Sequence, residues 1–135
     1  MRPAAIVALI AAALFGATTA SAETPQDIQA AYAAQAGAGF TASAQRGRTL
    51  FTTRHGVSAD FPACTQCHGT DLAAAGKHAI TGKQIEPMAV RANPQRFTDA
   101  AKTEKWFRRN CREVVGRECS AAEKADVIAF LRAGS

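Results

Sequence analysis

The sequence predicts an all-α domain, and three observations carry that prediction. Apolar residues recur at helical spacing in four segments between Ile28 and Leu131. Helix start and stop residues bracket those segments: Thr24-Pro25, Ser120 with Glu123, Gly37 and Gly116. No strand pattern surrounds the densest motif of the chain, Cys64-Thr65-Gln66-Cys67-His68. No internal repeat or low-complexity block follows the N-terminal segment, and the length suits one domain.

In chain order, residues 1–22 read as a cleaved secretory signal peptide. Arg2 gives the positive start, Ala4 to Leu14 is apolar, and Ala20-Ser21-Ala22 is a small-residue cleavage site. The remaining domain, 23–135, is expected in the periplasm of a bacterium. It has no second stretch of about 20 apolar residues, so no membrane insertion of the mature chain is expected. The first helix starts at Thr24-Pro25 with Asp27 in its first turn; Ile28, Ala31 and Tyr32 share a face, and Gly37 to Gly39 end it. The second runs from Ala42 to Arg54, with Leu50 and Phe51 inward and Gly56 as a stop. Gly47, one turn before Phe51, suits a close backbone approach. Residues 71–93 are punctuated by Gly76, Gly82 and Pro87 and read as loops. The third helix starts near Asp99, carries Trp106, Phe107, Asn110, Cys111, Val114 and Val115, and closes at Gly116. Ser120 and Glu123 form a capping box for the last, with Ala125, Val127, Ile128, Phe130 and Leu131 as apolar positions.

Cys-x-x-Cys-His is the attachment signature of c-type haem. Two thiols three residues apart reach the vinyl groups of one porphyrin edge, and the adjacent His68 supplies a proximal imidazole. A zinc half-site needs a second ligand pair at zinc spacing, which the chain lacks. A thioredoxin-like redox pair needs a βαβ context, which it also lacks. Export suits both covalent haem attachment and disulfides.

With Cys64 and Cys67 assigned to haem, Cys111 and Cys119 remain, either as a disulfide or as two free thiols. The sixth iron ligand has several candidates. Asn110 lies 42 residues after His68, immediately before the last loop and helix, where a distal ligand is expected. Trp106, Phe107 and Val114 share its face, and an amide there needs a partner: the iron, the backbone or a haem propionate. Met88, inside the loop region, and the lone His55 and His78 are the alternatives.

The order of helix, haem motif, loops and two helices resembles a class I cytochrome c. The runs Gly82-Lys83-Gln84-Ile85-Glu86-Pro87, Asn93-Pro94-Gln95-Arg96-Phe97-Thr98-Asp99, Glu104-Lys105-Trp106, Arg109-Asn110-Cys111 and Gly116-Arg117-Glu118-Cys119 resemble the SHP family of oxygen-binding, high-spin class I cytochromes c. That resemblance implies one haem c with His68 as proximal and Asn110 as distal ligand of the ferric iron, and a Cys111–Cys119 disulfide. Met88 matches no ligand position of that family and is expected to pack. Related cytochromes place a His at the Asn110 position, and this chain does not. The resemblance further implies a dihaem cytochrome c as redox partner.

The function expected on these grounds is a periplasmic monohaem cytochrome whose distal Asn is released on reduction. The ferrous haem then binds O2, NO or CO, coupled to electron transfer. An ordinary low-spin carrier with Met88 or a His as sixth ligand is one alternative. An enzyme acting on O2, NO or peroxide is another, although no distal acid–base pair stands out. Six basic residues lie between Lys102 and Arg117, opposed only by Glu104 and Glu113. They read either as a solvated helix face or as a face that steers an acidic redox partner. Nucleic acid is not an expected partner, because no aromatic–basic binding motif accompanies them.

Overall fold

The computed structural model describes residues 22–134. The predicted signal peptide lies outside the described residues, apart from Ala22. The elements are α1 (Pro25–Ala36), α2 (Ala44–Thr52), α3 (Thr65–His68), β1 (Gly76–Lys77), β2 (Gln84–Ile85), α4 (Ala100–Val114) and α5 (Ala121–Ala133). Among the described residues, no helix is long and apolar enough to cross a membrane.

Both capping boxes set helix starts. Thr24 Oγ1 accepts from the Asp27 amide at 3.1 Å while Asp27 Oδ2 accepts from the Thr24 amide at 2.9 Å. Ser120 and Glu123 repeat the exchange at α5. The second helix is shorter than its apolar pattern implied, because Ser43 caps it and Thr53 turns extended. Ala31, expected inward on α1, is exposed; Ile28 and Tyr32 are the buried positions.

The frame is α5 with α1 and α2 packed on it. The α2–α5 crossing depends on Gly47, where a Cβ would collide with the Asp126 carbonyl. Buried Asp126 locks the crossing by accepting from Ser43 N at 2.6 Å and Arg46 Nε at 2.7 Å. Phe51 and Phe130 meet edge to face 5.8 Å apart just beyond it. Phe51, Leu72, Ala89, Val127, Phe130 and Leu131 form one buried cluster. Ile28, Tyr32, Ala125 and Ile128 form a second, and Phe107 from α4 packs on both.

The region read as loops holds a two-residue antiparallel pair, Gly76 opposite Ile85 and Lys77 opposite Gln84. Helix α4 differs from the other long helices. It stands off the frame, with no backbone approach comparable to those of α1 and α2 on α5.

Candidate functional site

The Cys64–His68 run folds into a single turn. His68 N donates to Cys64 O at 3.1 Å and Gly69, at φ 68°, ends the turn by donating to Thr65 O at 2.9 Å. Both thiols are free and half-buried. Cys64 packs against the Phe51 cluster, and the His68 ring sits 5.8 Å from the Phe51 ring. Burial pushes the Cys64 thiol up to about 11. Burial, assisted by the nearby Arg96 charge, holds His68 down at about 4, so its imidazole is neutral over the physiological range. His68 Nδ1 is buried without a hydrogen-bond partner among the described residues.

The β1 strand clamps this turn. A Cβ at Gly76 would collide with the Cys67 carbonyl, and the Ala79 amide donates to Cys67 Sγ at 3.3 Å. Beside it, the Arg96 residue is half-buried and its guanidinium has, among the described residues, only carbonyl partners, Pro87 O at 2.9 Å and Glu86 O at 2.6 Å. Burial disfavours its charge, so it suits an anion. Phe97, which follows it, holds a left-handed φ of 57°, rare for an aromatic residue, and stacks on Phe107 at 6.5 Å.

On α4, Thr103, Cys111 and Val114 are buried and Phe107 and Asn110 half-buried. The Asn110 carboxamide makes no hydrogen bond among the described residues. Trp106 lies at the border of this face, 44% exposed, with the Arg109 guanidinium 5.7 Å over its ring. Cys111 and Cys119 are disulfide-bonded and both buried, tying the end of α4 to the start of α5. The N-terminal half of α4 is tied by Glu104, which accepts from Lys124 Nζ at 2.8 and 2.9 Å and from Tyr32 Oη at 2.7 Å. Burial would raise the Glu104 carboxyl, but these donors outweigh it and hold it below its usual range.

The other candidates have local partners. His55 Nε2 pairs with Leu50 O at 3.0 Å, and His78 Nδ1 accepts from the amides of Ile80 and Thr81 at 3.3 Å. Met88 is half-buried against the Phe51 cluster. Among the described residues no group of three or more His, Cys, Asp or Glu is placed to hold a metal ion directly.

Over 126 residues the chain is 48% identical to the cytochrome c-type protein SHP of Cereibacter sphaeroides, covering 93% of this chain and 95% of that one. The chain belongs to the SHP family of c-type cytochromes. Residues 37–131 also match a family described as a domain of unknown function (DUF1924). The fold agrees with that of oxidized SHP, an oxygen-binding cytochrome c, at a TM-score of 0.77 and 48% identity, over 84% of this chain and 99% of the other. Oxidized cytochrome c'' from Methylophilus methylotrophus matches at a TM-score of 0.69 and 32% identity, over 82% and 94%. A 69-residue stretch is 46% identical to that cytochrome c'', covering 51% of this chain and 48% of the relative.

The fold is therefore the all-α cytochrome c fold, and the cofactor of these relatives is covalently bound haem c. The residues present fit that group. Among the described residues, two free thiols and a buried imidazole with an unpartnered nitrogen share one turn, and a guanidinium without a carboxylate partner lies near that imidazole. Arg96 was not singled out in the sequence, where nothing separates it from the chain's other arginines. The Tyr32–Glu104–Lys124 contact was equally hidden, since 72 residues separate its first two members.

Proposed function

We propose that the chain is an exported, periplasmic monohaem cytochrome that alternates between an Asn-ligated ferric form and a gas-accepting ferrous form, coupled to electron transfer. Cys64 and Cys67 would hold the haem by thioether bonds, His68 would supply the proximal imidazole and Asn110 the distal oxygen, and Arg96 would receive a propionate. Haem c would supply a redox-active iron that can also take up a diatomic gas.

The observation that carries this reading is Asn110: a half-buried residue on the core side of α4, whose carboxamide has no hydrogen bond among the described residues. With no protein partner, that carboxamide is free to serve as a ligand. The amide oxygen is hard and weakly donating. It favours ferric over ferrous iron, so Asn110 would be released on reduction and the site would open to O2, NO or CO. Phe107 and Val114 share its face of α4, with Trp106 at the border. The Cys111–Cys119 disulfide anchors the residue next to Asn110 and limits its swing. The naming of a solved relative as an oxygen-binding cytochrome supports the same reading. Electron delivery by a dihaem cytochrome c belongs to it as well.

Replacing Asn110 tests the assignment. In Asn110→Val the ferric optical spectrum changes while CO binding to the ferrous form does not, because the native side chain has already left. An unchanged ferric spectrum in Asn110→Val, with a changed one in Met88→Ala, would replace this reading by that of a low-spin carrier ligated by Met88. Turnover of an oxidisable donor with O2 or peroxide would point to an enzyme.

A further inference from the structure

The outward face of α4 carries a block of positive charge that the haem site does not use. At 100° per residue, Lys102, Lys105, Arg108, Arg109 and Arg112 fall on one arc, opposite Thr103, Phe107, Cys111 and Val114. All five are exposed. Glu104 and Glu113 mark the two borders, and Glu104 is committed to Lys124 and Tyr32. Lys102, Lys105 and Arg108 have no ion pair among the described residues; Arg109 and Arg112 have only exposed partners, Glu113 and Glu118. Arg117, counted with this run in the sequence, is not part of it, because it pairs with Glu123 across the α5 cap.

Two features distinguish this arc from an ordinary solvated face. Like charges three and four residues apart destabilise a helix, so the spacing of Lys105, Arg108, Arg109 and Arg112 works against α4, offset by exposed pairs at Arg109 and Arg112 alone. Helix α4 also carries most of the positive excess of the domain. Residues 23–135 contain 15 Lys and Arg against 11 Asp and Glu, a net of +4, and α4 alone contains five against two, a net of +3. The molecule is therefore polarised, with its positive pole on the helix that bears Asn110.

We infer that the outward face of α4 is the docking surface for an acidic patch on the electron-donating protein. The inference rests on the electron-transfer reading above and adds the face and the charge of its partner. Positive excess on one face orients an approaching acidic protein before contact and raises the productive encounter rate. A bilayer is the poorer fit, because a membrane-surface helix inserts its apolar face and that of α4 is turned into the core.

The test is stopped-flow reduction of the ferric holoprotein by the hydroquinone of a bacterial flavodoxin, an acidic one-electron donor, across a range of ionic strengths. The triple variant Lys102→Gln, Lys105→Gln, Arg108→Gln should react about tenfold more slowly at low salt and lose most of its salt dependence. The control Arg48→Gln, Arg54→Gln, Lys83→Gln removes the same net charge from exposed sites elsewhere and should stay within about twofold of the parent. Equal slowing of both variants, or of neither, overturns the inference. So does an unaffected flavodoxin rate with stripe-dependent binding to vesicles of phosphatidylglycerol and phosphatidylcholine, which assigns the face to lipid. The ferrous CO spectrum, recorded on the same samples, reports separately on the haem-site reading.

Discussion

The haem-motif turn and helix α4 are held by different means. The turn is gripped through backbone: β1 lies so close that Gly76 has no room for a Cβ, and an amide of the same hairpin reaches Cys67 Sγ. Helix α4 stands off the frame and is held by side chains, with Glu104 near one end, the Cys111–Cys119 bond at the other, and Phe107 between. Backbone contacts of the first kind leave no alternative arrangement. Side-chain ties of the second kind allow a helix to shift while remaining attached. The proposed site, which would keep His68 and release Asn110, needs both.

Four substitutions would break or sharpen that contrast, here from the largest expected effect to the smallest. Gly76→Ala forces a Cβ into the Cys67 carbonyl and should destabilise the holoprotein by about 3 kcal/mol, the upper range for overpacking, measured by urea unfolding. It should also lower haem incorporation during expression. Cys111→Ser with Cys119→Ser opens an eight-residue separation and should cost about 2.5 kcal/mol by chain entropy. In the same variant the ferric spectrum should become heterogeneous, since Asn110 loses its anchor; unchanged coordination would remove the disulfide from the account. Glu104→Gln leaves Lys124, nearly buried, facing a neutral amide. Because Glu104 is partly exposed, the cost should be about 2 kcal/mol, below that of breaking a fully buried pair.

Glu123→Gln should be the mildest, about 1 kcal/mol at neutral pH, the value of a helix cap. It also carries a pH signature. Hydrogen bonds from the Arg117 guanidinium hold the Glu123 carboxyl down at about 2, against an ordinary value of 4.5. A carboxyl depressed by folding stabilises above its unfolded value, and that stability is lost as pH falls toward the folded value. The parent should therefore lose its advantage over Glu123→Gln between pH 4.5 and about 2. A stability difference independent of pH over that window would assign the effect to side-chain shape.

The sequence revealed the frame well because its signals are local. Thr24 with Asp27, Ser120 with Glu123, and Gly47 one turn from Phe51 each sit within a few residues of what they control, and each performs its expected part. The Cys111–Cys119 bond was legible for the same reason. What stayed hidden was long-range or short-lived in sequence. Two-residue strands offer no alternation to read, so Gly76–Lys77 and Gln84–Ile85 passed as loop. Tyr32, Glu104 and Lys124 come from three helices and have no individual sign of meeting. Arg96 is picked out only by its partial burial near His68 and its lack of a carboxylate partner among the described residues.

The most direct test of the account is the optical spectrum of the purified holoprotein, ferric and then reduced, with and without CO. A high-spin ferrous spectrum that shifts on CO addition is the predicted result, and it means that Asn110 leaves the iron on reduction. Sharp low-spin ferrous bands unmoved by CO would contradict it and would mean a strong, permanent sixth ligand, with Met88 the first residue to replace.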